Sequence, residues 1–143
     1  MDFFQLLDSA HPYLSCFDYD HYPQCFAEFE KHAEGFFGML DESVFPETAE
    51  ELLNGAAARW DALPRRDRAE TARKDKTVLA LFFTPAAERH SERAKAFAAL
   101  LQERWNRRFP RNRYLAGNYE AIIKGFDTDF LGITLRKTKQ RSR

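Results

Sequence analysis

Residues 94–105 read AKAFAALLQERW, and their spacing decides the fold class. Ala94, Phe97, Ala98, Leu101 and Trp105 fall at i, i+3, i+4, i+7 and i+11, the period of a helix with one apolar face. Upstream, Thr84-Pro85 reads as a helix start, a Thr cap followed by Pro at the first helical position. Downstream, Pro110 disfavours helix at Phe109. One helix is therefore expected from Pro85 to Phe109.

The same period recurs outward from this segment. Arg66 to Phe83 forms a segment whose first half is polar on every side, with Arg66, Glu70 and Lys74 at i,i+4 spacing. Its second half, Val78 to Phe83, is apolar on every side and is expected to be buried, while the polar half projects into solvent or touches a partner. Before it, Ala49, Leu52, Leu53, Ala56, Ala57, Trp60 and Leu63 define the buried face of a helix that starts near Pro46 or Thr48 and stops at Pro64. Tyr22, Phe26, Phe29, Ala33, Phe36 or Phe37, and Leu40 make a further stripe. Pro23 sits in that helix's first turn and Asp20 is its candidate cap. Phe3, Phe4, Leu6 and Leu7 predict a short first helix ending by about Ala10, with His11-Pro12 and Ser15 to Asp20 as loop.

After Phe109 the signal thins. Asn112 to Ile122 resembles half of a tetratricopeptide unit over eleven residues, but it occurs once and its spacing from Tyr119 to Ala121 is one residue short. It reads as an ordinary helix–turn–helix, with Tyr119 to Lys124 a short helix closed by Gly125. Ile133 to Thr138 is a candidate extended piece, and Arg136 to Arg143 a mobile basic tail.

These segments predict an all-α fold, a single compact bundle of five or six helices over residues 1–135, with a flexible basic tail at 136–143. Its expected core includes Phe26, Phe29, Leu52, Leu53, Trp60, Leu79, Phe83, Phe97, Leu101 and Trp105. Among 143 residues, 14 are Phe and only 6 each are Gly and Pro, which excludes collagen-like and linker-rich chains. Two cysteines, Cys16 and Cys25, cannot form a disulfide scaffold and are expected to be free thiols. The longest apolar run, Val78 to Phe83, is far shorter than the ~20 residues of a membrane span. The start of the chain lacks a basic leader region. A cytoplasmic protein without membrane contact is the expectation.

The formal net charge is zero, yet the charge is divided. Residues 1–58 carry twelve acids and one base, Lys31, whereas residues 59–143 carry 21 bases and ten acids. Either the two parts dock on each other or the basic part meets an anionic partner. The basic side chains that best fit an anion are Arg104, Arg107 and Arg108 on one helix, Arg111 and Arg113 just after it, and Arg136, Lys137, Lys139 and Arg141 in the tail. Guanidinium forks match phosphate oxygens, and Tyr114 beside them can stack on an unpaired base. Nucleic acid or an acidic protein surface are the partners this footprint suits. Pairing of acidic and basic parts between two copies is the alternative, giving a homo-oligomer.

Chemistry-bearing motifs are sparse. His21, Cys25, Glu28 and His32 lie nearly in line along one helix, and imidazole and thiolate are zinc ligands. Cys25 and His32 are about 10 Å apart along the axis, so only His21 and Cys25 could chelate together. Without Cys-x-x-Cys or His-Glu-x-x-His the chain is assigned no metal and no cofactor. A thiol nucleophile at Cys16 or Cys25 has His11, His21 or His90 as candidate base, but nothing local arranges them. Gly-x-Ser-x-Gly, Walker and Gly-x-Gly-x-x-Gly patterns are absent from the sequence. The expectation is a non-enzymatic binding or regulatory module, with a small metal-binding or thiol protein using the His21 and Cys25 region as a second alternative.

Overall fold

Six α-helices pack around a stretch of five consecutive buried residues, Leu79–Phe83. The computed structural model describes residues 2–16, 22–115, 129–130 and 133–134. Helices α1 (Phe3–Cys16), α2 (Tyr22–Gly38), α3 (Phe45–Asp61), α4 (Arg65–Val78), α5 (Thr84–His90) and α6 (Glu92–Arg108) follow in chain order. Two two-residue strands, β1 (Asp129–Phe130) and β2 (Ile133–Thr134), pair antiparallel, with β2 beside α4. The fold is an all-α bundle in which α1 packs on α2 and α4, α3 on α4 and α6, and α5 on α2 and α6. No described helix is long and apolar enough to cross a membrane.

The apolar stripes become the core. Tyr22, Phe26, Phe29, Ala33 and Phe37 of α2 are buried, as are Ala49, Leu53, Ala56 and Trp60 of α3 and Ala94, Phe97, Ala98, Leu101 and Trp105 of α6. Of the expected core residues only Leu52 is half-buried, at the edge of the α3 stripe. Two aromatic clusters organise the interior. Phe82 meets Tyr13, Tyr22 and Phe29, and Phe83 meets Phe3, Phe36 and Phe37. At the other end Trp60, Trp105, Phe109 and Tyr114 pack edge to face or tilted, with centroids 4.8–5.9 Å apart.

Three local expectations are corrected. Helix α1 does not stop at Ala10 but continues through Pro12 to Cys16. Pro12 costs the helix one N–H, and burial of Leu14 with the packing of Tyr13 on the core outweighs that loss. Thr84 opens α5 but does not cap it. It is itself helical at φ −65°, ψ −44°, and α4 runs into α5 through a π-helical turn at Leu79–Phe83. The cause is Pro85, which has no N–H for the Leu81 carbonyl four residues back and whose ring would crowd that carbonyl. The wider turn lets the Thr84 N–H reach Leu79, five residues back, and the Tyr22 hydroxyl donates to the Leu81 carbonyl instead.

The third correction is that the break comes six residues after Pro85. Ser91 is extended (φ −170°, ψ 163°), and its hydroxyl accepts the Ala94 N–H at 3.0 Å, capping α6. The pairing of Ile133–Thr134 with Asp129–Phe130 agrees with the extended piece read there. The short helix expected at 119–124 and the tail at 136–143 lie outside the described residues.

Candidate functional site

The charged side chains sort into three groups, one buried and paired, one at the surface, and one partly buried and without partners among the described residues. The first is centred on Asp75, whose side chain is fully buried on α4. Oδ1 accepts from His11 Nε2 at 2.7 Å and from Arg59 Nη2 at 3.2 Å. Oδ2 accepts from Arg59 Nε at 2.9 Å and from the Trp60 indole N–H at 2.8 Å. Both oxygens are thus doubly bonded, the full capacity of a carboxylate. Because ionised Asp75 only accepts, the His11 proton on this bond sits on Nε2. Arg59 reaches on to Asp8 and lies over the Phe4 ring, 5.6 Å from its centroid.

Burial works to raise the Asp75 pKa, but the bonds from His11, Arg59 and Trp60 outweigh it, and the carboxyl is held below its ordinary value. Burial likewise works against the charge on Arg59, and the bonds to Asp75 and Asp8 reverse that, raising its pKa. The group joins α1, α3 and α4 through charge. Among the described residues no serine, threonine or cysteine side chain is bonded to His11.

The second group contains the arginines singled out in the sequence, and it divides. Arg104 and Arg108 turn onto α3: Arg104 lies 3.6 Å from Glu50, and Arg108 lies 3.5 Å from Glu50 and 2.8 Å from Asn54 Oδ1. Arg89 pairs with Glu30 at 3.2 Å in the same sense. These bridges join the acidic part of the chain to the basic part. Arg107 is exposed and, among the described residues, paired only with Glu103 of its own helix. Arg111 and Arg113 are exposed and have no carboxylate partner among the described residues. Arg107 and Arg113 flank a shallow groove with Gln102 and Asn106. A reciprocal pair of bonds between the Asn106 side chain and the Tyr114 backbone, 2.7 and 2.8 Å, holds this segment against α6. Arg136, Lys137, Lys139 and Arg141 lie outside the described residues.

The metal candidates are not brought together. His21 lies outside the described residues, Cys25 is half-buried against the core, and His32 faces Glu28 at 3.5 Å. Among the described residues no three His, Cys, Asp or Glu side chains are grouped to hold a metal ion.

The third group was not visible in the sequence. Lys76 is 9% exposed with its ammonium reaching the surface, and Arg73 is half-buried with only Nε enclosed; neither side chain has a hydrogen-bond or ion-pair partner among the described residues. Burial, then the neighbouring positive charge of Arg73, lowers the Lys76 pKa. Asn112 donates to the Ala72 carbonyl at 3.3 Å, which docks the turn carrying Arg111 and Arg113 beside this part of α4.

Comparison with known protein families, with characterised proteins and with solved structures finds no match.

Proposed function

We propose that this chain is a non-enzymatic helical binding module whose basic C-terminal side contacts an anionic partner. The observation that carries this reading is the division among the arginines. Arg104 and Arg108 share Glu50, whereas Arg107, Arg111 and Arg113 face solvent beside the end of α6, the last two without a carboxylate among the described residues. A guanidinium with no internal counter-charge keeps its full attraction for phosphate or carboxylate oxygens. The bridges through Glu30 and Glu50 also consume, within one chain, charges that head-to-tail pairing of two copies would use.

The test is a fluorescence-anisotropy titration of the full chain against labelled single- and double-stranded nucleic acid and a labelled acidic peptide, at several salt concentrations. Binding is expected to weaken with salt, with a log–log slope reduced by about one for each phosphate contact removed. The double substitution Arg111→Ser with Arg113→Ser removes the described contacts, and a truncation ending at Leu135 removes those of the tail. Absence of binding to every probe at low salt overturns the reading.

A further inference from the structure

The polar first half of α4 projects from the bundle. Five of the six residues from Arg65 to Glu70 are exposed, so these turns are open to a partner. At their centre is Ala69, exposed and ending at its methyl group. Arg65 and Arg66 lie four and three residues before it, and Ala72 and Arg73 three and four after it, the spacings that share one helix face. Asp67 and Glu70, two before and one after, fall off that face, and Glu70 is taken by Lys74 at 3.4 Å. Arg68 folds back on the Leu63 and Asp61 carbonyls. At Ala72 the face meets the turn Pro110–Asn112: Asn112 donates to the Ala72 carbonyl at 3.3 Å, which brings its chain neighbours Arg111 and Arg113 beside α4. Arg65, Arg66, Arg111 and Arg113 are exposed and Arg73 is half-buried, and none of the five has a carboxylate partner among the described residues.

We infer that this face, Ala69 with Arg65, Arg66, Arg73, Arg111 and Arg113 around it, is a docking surface for the phosphate backbone of double-stranded DNA. The guanidiniums form an extended row that suits a row of phosphates. From Arg65 to Ala72 is about 10 Å along the helix axis, about three phosphate steps of one strand. An acidic protein would be held by an apolar anchor at the centre of its interface. Here the centre is an alanine methyl, and of the exposed large apolar side chains described only Leu115 adjoins the face. A single strand would need an aromatic platform. Tyr114, which the sequence offers as a stacking residue, is fully buried, as is Trp105, and Phe109 is half-buried with Arg108 over its ring. A projecting helix about 10–12 Å across matches the major groove of B-form DNA, about 12 Å wide, whereas the deep, narrow groove of duplex RNA keeps it out. The inference rests on the proposed function in taking an anionic partner, and it deepens it by naming duplex DNA and adding α4 to the surface that meets it.

The experiment titrates the full chain into a short labelled DNA duplex, its single strand, an RNA duplex of the same sequence and an acidic peptide, at several salt concentrations. Wild-type protein is expected to bind the DNA duplex tightest. Arg65→Ser with Arg66→Ser is expected to melt like wild type, because both side chains are exposed and unpaired among the described residues. Its log–log salt slope is expected to fall by about two and its affinity by about tenfold or more. Arg65→Lys with Arg66→Lys keeps the charge and is expected to stay within about threefold of wild type. Arg93→Ser with Lys95→Ser removes the same charge from exposed positions of α6 outside this face and is expected to keep the wild-type slope. Should Arg65→Ser with Arg66→Ser not fold, Ala69→Glu sets a carboxylate at the centre of the face and is expected to lose duplex binding.

Duplex binding that is unchanged in Arg65→Ser with Arg66→Ser, or in Ala69→Glu, overturns this face. So does an equal loss in Arg93→Ser with Lys95→Ser, because net charge then acts without a site. Binding to the single strand, the RNA duplex or the acidic peptide that matches or exceeds binding to the DNA duplex overturns the choice of partner and leaves the proposed function standing. Absence of binding to every probe at low salt removes both.

Discussion

Asp75 and Lys76 are adjacent in the chain, both buried, and opposite in circumstance. Asp75 points toward α1 and α3, where His11, Arg59 and Trp60 fill all its acceptor positions. Lys76, about 100° further round the helix, has no counter-charge among the described residues. One residue of rotation separates a charge absorbed into the fold from one that reaches water without a partner among the described residues. Burial of charge alone therefore says nothing about role; the count of satisfied partners does.

The largest effect is expected at the satisfied charge. Asp75→Ala leaves Arg59 half-enclosed without its main partner and strips the Trp60 indole of its acceptor, at a cost of about 3–5 kcal/mol in urea unfolding. A cost below about 1 kcal/mol would erase the contrast with Lys76, whose ammonium reaches water and whose neutral variant is expected to change stability by less than about 1 kcal/mol.

The acid limb of stability sharpens the same point. The Asp75 carboxyl has a folded pKa below its unfolded value, so its contribution is complete above about pH 4 and is lost as pH falls through the folded value. In calorimetric scans from pH 6 to 2, the difference in melting temperature between wild type and Asp75→Asn is expected to close on the acid side. A difference that stays constant to pH 2 contradicts the assignment.

A neutral counterpart lies further along the same helix. Tyr22→Phe removes the donor to the Leu81 carbonyl, which Pro85 cannot serve, and is expected to cost about 1–2 kcal/mol. The smallest effect is expected at the surface. Glu50→Gln releases Arg104 and Arg108, but Glu50 is half-exposed, so the loss stays under about 1 kcal/mol and vanishes in 1 M salt.

Apolar periodicity carried the helices well because burial is what it records. The stripes from Tyr22 to Phe37 and from Ala94 to Trp105 are buried as spaced. Punctuation was less legible. Thr84-Pro85 has the composition of a helix start, but the apolar segment before it is held in place by packing, and the π turn accommodates the proline. Ser91, whose hydroxyl does cap a helix, stood in a polar stretch that gave it no contrast.

The charged half of α4 was harder still. Arg73, Lys74, Asp75 and Lys76 read as a solvated run, although Asp75 stands three and four residues before Val78 and Leu79 and so shares their face. That spacing was the one available signal. The donors His11 and Arg59 come from α1 and α3, 64 and 16 residues away, and no local pattern announces them.

The turn at Leu79–Phe83 also sets a phase. A π turn inserts about one residue into the helical count, which rotates everything before it by about 100° relative to everything after it. The angular offset between Asp75, aimed at Arg59, and Ala86 and Ala87, packed in the core, is thus fixed by the number of residues between them. Deleting one residue from this apolar segment would be absorbed by closing the π turn to an α turn, whereas deleting two would leave its composition almost unchanged and turn the carboxylate away from its donors.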